Sequence, residues 1–473
     1  MTYRELLRGN PDLRRLWAGQ AVSEVGDWLN NIAVLALTIQ LAGPGREGLA
    51  IAVYAIARHL PLFLFGPAAG VVVDLADRRR VMIASDVARA VLALGFLLAA
   101  RLGSVTVLYL VVASLFCVSA FFNAARRATI PNLARGTEEL LAANSLSAST
   151  TAATIAVGSA LGGVAATALG REAVFVINAL TFLGSAELIR RIGPTSAAGR
   201  VPRKPAPLDA AAAPQLPPPT APGRPFGAAG RTPFRLPGAA AGKVFGEFRE
   251  GLRYVRRDAV LAACFVVAAG WGLGNGAARA LYSIFGARLG AETVAGWGGA
   301  WRPLVERPTD FGISVLFVAM GVGGVLGAPL ARRFNSAGGA GLGARMGRSL
   351  ALDGCGLAAL SLAPGLWSAA FVLVAREMNF AIWWTAQQTL MMRRTEDRYA
   401  GRVFASFETL TTLTMVGAMF ASGALADRVG IRPVAFVGGL LIVLSGLLWF
   451  ALRPASREAV AAEPEAGERR GAG

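Results

Sequence analysis

The sequence predicts an all-α polytopic membrane protein with twelve transmembrane helices in two pseudo-symmetric six-helix bundles. Three observations carry this. The 473 residues are 54% hydrophobic and only 16% charged, whereas a soluble domain carries roughly 25% charged residues. Apolar runs close to the roughly 20 residues that a bilayer requires occur at 16–41, 49–73, 81–100, 103–122, 144–168, 173–189, 259–285, 311–331, 347–363, 367–390, 403–425 and 432–452. Six precede and six follow one polar connector, and the halves echo each other. Gly70-x-x-x-Asp74-x-x-x-Arg78-Arg79 ends the second run and Gly327-x-x-x-Ala331-Arg332-Arg333 the eighth, while Asp86 and Asp353 lie early in the third and ninth. The ninth run, broken by Asp353 and Gly356, is the weakest of the twelve.

The segments follow in order. Residues 1–190 form the first bundle, 191–257 the connector, 258–452 the second bundle and 453–473 a polar tail. The first run is long, carries Glu24 and Asp27 and lacks a small-residue cleavage site, so it reads as an uncleaved anchor. An even number of spans puts both termini on one side. Arginines concentrate in the short loops of that side, which makes it cytoplasmic. The connector opens as a Pro/Ala-rich tract that cannot build a core. From Lys243 to Arg257 it turns amphipathic, a pattern that fits a helix on the cytoplasmic leaflet.

Several classes are excluded. A net charge of +18 would suggest nucleic-acid binding in a soluble protein, but here it sits in patches between membrane runs. Cys117, Cys264 and Cys355 lie in apolar runs and form no disulfide framework. One histidine, His59, cannot build a histidine metal centre, and beside Arg58 it reads as a neutral histidine in a polar seam. Gly238-x-x-x-Gly242-Lys243 is one residue short of a phosphate loop, and Gly339-x-Gly341-x-x-Ala344 follows a membrane run rather than a strand. No cofactor or metal is expected. Internal repetition is the mark of secondary transporters, which draw on an ion gradient or move their solute downhill.

The strongest motif lies between the second and third runs. Gly70 would let two helices approach closely, and Asp74 could pair with Arg78 or Arg79 across the turn as a latch that bundle rocking makes and breaks. Positive-inside anchoring alone would account for the arginines. In this loop the chain resembles the major facilitator superfamily, whose signature is G-x-x-x-D-[RK]-x-G-[RK]-[RK]. Gly70, Asp74, Arg78 and Arg79 match, Leu75 replaces the first basic residue and Asp77 the glycine. Asn10-Pro11-Asp12-Leu13-Arg14-Arg15-Leu16-Trp17, Gly26-Asp27-Trp28, Asp86-x-x-Arg89-Ala90 and Ala143-Asn144-Ser145-Leu146 are similar to the drug:proton antiporter branch, which includes macrolide efflux proteins and the enterobactin exporter. The resemblance is strong over 9–190 and looser over 258–452. It implies a central cavity, proton-driven export and a bacterial cell membrane. Gly158-Ser159-Ala160-Leu161-Gly162-Gly163 is similar to the exporters' antiporter motif G-P-x-x-G-G with Ser159 for the proline. Gly158 and Gly162 also fit ordinary small-x-x-x-small packing.

Charged residues inside spans complete the list, since a charge at the bilayer centre costs at least about 2.5–3.5 kcal/mol. Asp27 falls near the midplane, with Glu24 one turn away on the same face. Two carboxylates so close would favour proton binding, which makes Asp27 and Glu24 the expected proton-coupling pair. Arg58, Arg376 and Glu377 are expected to line the cavity, either contacting a charged solute or forming static ion pairs. Trp271, Trp297, Trp301, Trp367, Trp383 and Trp384 are expected to be mainly interfacial anchors. The expected activity is proton antiport of a bulky amphipathic small molecule by a monomer, with lipid and protons as its other partners and no nucleic acid. The alternative is a lipid or lysolipid carrier of the same fold without proton coupling.

Overall fold

The computed structural model describes residues 2–193, 249–295, 297, 306–335 and 341–452. The Pro/Ala-rich tract at 202–237, the phosphate-loop-like stretch at 238–244, Trp301 and the tail at 453–473 lie outside the described residues.

A short helix, α1 (Tyr3–Gly9), precedes the first bundle. That bundle comprises α2 (Pro11–Ala42), α3 (Glu47–Leu75), α4 (Arg78–Leu102), α5 (Val105–Leu133), α6 (Thr137–Ala168) and α7 (Arg171–Arg190). The second comprises α8 (Ala259–Val294), α9 (Pro308–Asn335), α10 (Leu342–Ser361), α11 (Leu366–Arg394), α12 (Asp397–Val429) and α13 (Ile431–Leu452). At 1.5 Å per residue, even the 20-residue α7 reaches about 30 Å, the thickness of a bilayer core. Ten of the twelve are also apolar enough to cross a membrane by composition. The other two, α10 and α11, carry Asp353 and the Arg376–Glu377 pair.

Side-chain caps set the helix starts. Asn10 caps α2 through Leu13 N at 3.1 Å, and its amide also donates to Leu133 O at 2.8 Å and Glu139 at 3.1 Å. Asp258 caps the counterpart helix α8 through Val260 N and Leu261 N at 2.8 and 3.0 Å. Gly103 closes α4 at φ +59°, a left-handed turn that glycine adopts without steric cost.

The internal repeat is visible in the packing. In the first half α2 packs on α6 and α7, α5 on α3 and α4, and α4 on α7. In the second α8 packs on α12 and α13, α11 on α9 and α10, and α10 on α13. Every partner is shifted by six helices. The halves meet along two seams, α6 against α9 and α3 against α12.

Two expectations change. The connector's end is one: residues 249–255 are helical and one face of this helix rests on protein. Val255 is buried, Tyr254 stacks on Tyr399 at 4.4 Å, and Glu250 pairs with Arg402 at 2.8 Å. Aromatic and charge complementarity joins this helix to the start of α12. The tryptophans also divide. Trp367 is 60% exposed, as an anchor would be, but Trp383 is fully buried and Trp271 nearly so. With Trp384 and Phe380 they form a cluster with ring centroids 5.1–5.9 Å apart, because large rings gain more from mutual packing than from an interface.

Candidate functional site

Three successive residues of α2 serve three neighbours, because adjacent helical positions are separated by about 100°. Gly26 lies against α7, where an added Cβ would meet the Asn178 side chain at 2.7 Å. Asp27 faces α4, with Oδ2 3.8 Å from Arg89. Trp28 reaches Phe317 of the other half, centroid to centroid 6.1 Å.

Arg89 is the centre of the first charged cluster. Its guanidinium also pairs with Asp86 and lies over the rings of Phe122 and Phe182 at 4.1 and 4.4 Å. Asp86 is fully buried, while the Asp27 side chain stays 29% exposed. Glu24, expected to share a proton with Asp27, points elsewhere. It accepts from Gln20 at 2.8 Å, Thr151 at 3.3 Å and Thr154 at 3.2 Å. Gln20 in turn accepts from Ser147, which accepts from Arg126 at 2.9 Å. The two acids are helical neighbours that engage different helices, because α4 offers Arg89 to one and α6 offers hydroxyls to the other.

Arg58 projects from α3 beside this cluster. It donates to Asn31 Oδ1 at 2.6 Å and to Tyr54 at 3.0 Å. Its guanidinium lies 5.4 Å from the Trp28 ring centroid and 4.7 Å from that of Phe116. It forms no ion pair with a described residue. The adjacent His59 bonds through Nδ1 to Ala55 O at 2.9 Å, the arrangement of a histidine whose Nδ1 carries the hydrogen.

Arg376 departs from the cavity-lining expectation. It is 3% exposed and held inside the second half by Asp353 at 3.0 Å, Asn275 at 2.8 Å and Tyr282. Asp353 also accepts from Trp271 at 3.3 Å. A charge this deep needs paired and hydrogen-bonded neighbours, and the second half supplies four. Glu377 lies 3.3 Å from Arg376 and keeps 16% of its side chain exposed.

The loop motif is arranged differently from the expected latch. Asp77 caps α4 through Arg79 N at 2.9 Å. Arg78 donates to Ala128 O at 2.7 Å, and Arg79 to Arg190 O. The arginines therefore tie the loop to the ends of α5 and α7. Asp74 is exposed and has no hydrogen bond or ion pair with a described residue. A Cβ at Gly70 would meet nothing within 4 Å, so no helix approaches it closely.

The glycines of α6 are tightly packed. A Cβ at Gly158 would lie 2.6 Å from Trp28 Cβ, and one at Gly162 2.7 Å from Leu29 O. Gly163 turns to the other half, against Ser314, whose hydroxyl donates to Ser159 O at 2.8 Å. The helix α6 is thus wedged between α2 and α9.

Besides Ser314–Ser159, the polar contacts between the halves among the described residues include three at the ends of helices remote from the termini, here called the far face. Arg171 at the start of α7 binds Asp310 with contacts of 2.9–3.1 Å, and Arg307 donates to Ala166 O and Thr167 O at 2.6 and 3.0 Å. Asp427 accepts from Gly48 N and Leu49 N at 2.7 and 2.9 Å. Sequence inspection missed these residues because each lies at a helix end, where a charge needs no special account.

The sequence profile of the Major Facilitator Superfamily matches residues 16–417. The chain belongs to the major facilitator superfamily. It is 27% identical over 461 residues to the uncharacterized MFS-type transporter YfiS of Bacillus subtilis (strain 168), covering 94% of this chain and 93% of that one. A protein named as a bacilysin exporter, BacE, of Bacillus amyloliquefaciens is 34% identical over 38% of this chain and 44% of its own. Macrolide efflux protein A of Streptococcus pyogenes is 34% identical over 71 residues, 15% of this chain and 17% of its own. Among solved structures, a bacterial homologue of the iron transporter ferroportin in an inward-facing state superposes with a TM-score of 0.62 at 12% identity, covering 93% and 98% of the two chains. The fold and family make this major facilitator protein a multi-pass membrane transporter rather than an enzyme, with efflux-type relatives.

Proposed function

We propose that this major facilitator protein exports a bulky amphipathic small molecule in exchange for protons, by alternating access of a cavity between the two halves. The supporting observation is the Asp86–Arg89–Asp27 cluster. One arginine serves two carboxylates, of which only Asp27 keeps exposed side-chain surface. A proton taken up by Asp27 removes its claim on Arg89 and leaves the guanidinium to Asp86. Loss of the proton restores the competition and changes the attraction between α2 and α4. This is a local charge change biasing a two-state bundle, as switching requires.

The cavity reading rests on Arg58, Trp28, Phe116 and Phe317. A guanidinium backed by rings and hydrogen-bonded to neutral groups offers planar, apolar contact together with a donor. That suits a large solute bearing carbonyl or anionic oxygens. The macrolide and bacilysin names of two relatives are consistent with this class. The energy source is the proton gradient, with no bound cofactor. Both termini lie in the cytoplasm of a bacterial cell whose plasma membrane holds the protein as a monomer.

The test is a macrolide screen in proteoliposomes containing a pH-sensitive dye. A transported solute is expected to move protons in the opposite direction, and Asp27→Asn is expected to reduce this exchange at least roughly 100-fold while the protein remains folded. Undiminished exchange by the variant would remove Asp27 from the mechanism. Lipid movement without proton flux would favour the carrier alternative.

A further inference from the structure

Each half of the bundle builds the same charged unit from different helices. In the first, Arg89 lies between the fully buried Asp86 and the partly exposed Asp27. In the second, Arg376 lies between the fully buried Asp353 and the partly exposed Glu377. The correspondence extends to what is left unsatisfied. Oδ2 of Asp86 and Oδ1 of Asp353 have no hydrogen-bond partner among the described residues, and neither does Nε of either arginine.

Contacts between glycines relate the depths of the two partly exposed acids. Glu377 Cβ sits where a side chain on Gly323 of α9 would begin, 2.7 Å from the added Cβ. Two residues away, Gly321 packs against Ala156 of α6, and two residues further along α6, Gly158 packs against Val25 and Trp28. Each step is about 3 Å along a helix, and because α6 and α9 run antiparallel both steps lead toward the far face, so Glu377 lies about 6 Å nearer the termini face than Asp27, level with Glu24.

Two carboxylates compete for one guanidinium in direct contact, while Arg58 and Arg279 stand beyond ion-pair distance of Asp27 and Glu377. Within each unit the buried aspartate is locked by its arginine, so the acid that keeps exposed side-chain surface is the more accessible of the two to a proton. We propose that Glu377 is a second proton-binding carboxylate, so that a transport cycle takes up two protons, one in each half. This rests on the antiport reading. The charged and titratable groups facing Glu377 are Arg376 on its own helix, Asp353 on α10, and Arg279 and Tyr282 on α8, while α9 presents Gly323. Arg279 stands off without a direct ion pair, as Arg58 does from Asp27 in the first half.

The proton itself is the probe. Full-length protein in lipid nanodiscs, without added solute, is stepped in pH while infrared difference spectra record the carbonyl stretch of protonated carboxyls. With steps kept above about pH 5.5, beyond the range where exposed carboxyls titrate, Asp27→Asn and Glu377→Gln are each expected to remove a separate part of the pH-dependent amplitude, and the double variant the sum of the two. Amplitude lost in Asp27→Asn but fully retained in Glu377→Gln would overturn the second site and leave single-proton antiport standing. Wild-type amplitude in both would overturn the antiport reading as well. Should Glu377→Gln not fold, Glu377→Asp decides the matter. Its band shifts in frequency if residue 377 titrates, and an unshifted spectrum refutes the proposal.

Discussion

The two ends of the α3–α12 seam place the same residue type in opposite circumstances. At the far face, Asp427 near the end of α12 accepts two hydrogen bonds from the first turn of α3. At the termini face, Asp74 near the end of α3 is exposed with no described partner. The glycines agree. Gly48 lies so near Asp427 that a Cβ would meet its carboxylate at 2.7 Å, whereas Gly70 has nothing within 4 Å. An acid next to a helix N-terminus is stabilising only when that helix is within reach. The lesson is one of state: cross-half contacts hold the far face together, and the motif at the other end is idle in this conformation.

If that comparison is right, the largest effect should come from the buried ion pair. Asp310→Ala leaves Arg171 without its carboxylate, at a cost of about 3 kcal/mol, and shifts the population roughly 100-fold toward a far face that is open. Spin labels on the far ends of α7 and α9 should report the wider distance, and an unchanged distribution would break the comparison. Gly163→Val comes next, since overpacking against Ser314 costs about 2 kcal/mol; far-face labels should again separate, and binding to the termini-face opening should weaken. Asp427→Asn removes the charge from two amide hydrogen bonds, worth about 1.5 kcal/mol, or roughly a tenfold shift in the same assay. The smallest effect belongs to Asp74→Asn, which should change the resting equilibrium by no more than about 0.5 kcal/mol. If it instead rivals Asp427→Asn, the two ends are not in the contrast described.

Legibility in the sequence followed the physics of each feature. Hydropathy located the spans because a bilayer penalises each exposed polar group independently of what packs beside it. Two helices, α10 and α11, are less apolar than the other ten because α10 carries Arg345, Arg348 and Asp353 and α11 the Arg376–Glu377 pair, and the pairing of Asp353 with Arg376 is visible in neither segment alone. The α6 glycines were legible as a packing face, since small residues at fourfold spacing leave few other uses in a membrane helix. The anchor reading fails for Trp271 and Trp383 because their burial depends on each other and on Phe380, neighbours that hydropathy cannot bring together. Arg376 was assigned to the cavity for the same reason. Nothing along α11 announces Asn275 and Tyr282, which lie about 100 positions earlier in the chain.

By itself the sequence determined the twelve-helix bundle, its doubled organisation and the presence of charged residues inside the spans. Those depend on periodicity, length and the cost of exposing charge to hydrocarbon, all of which are properties of each segment. Only the tertiary structure decided that Glu24 turns to α6 while Asp27 turns to α4, that Asp74 stands apart from Arg78 and Arg79, and that Asp310 and Asp427 fasten the far face. The direction and partner of a side chain follow from which helices lie beside it, and packing between distant segments sets that.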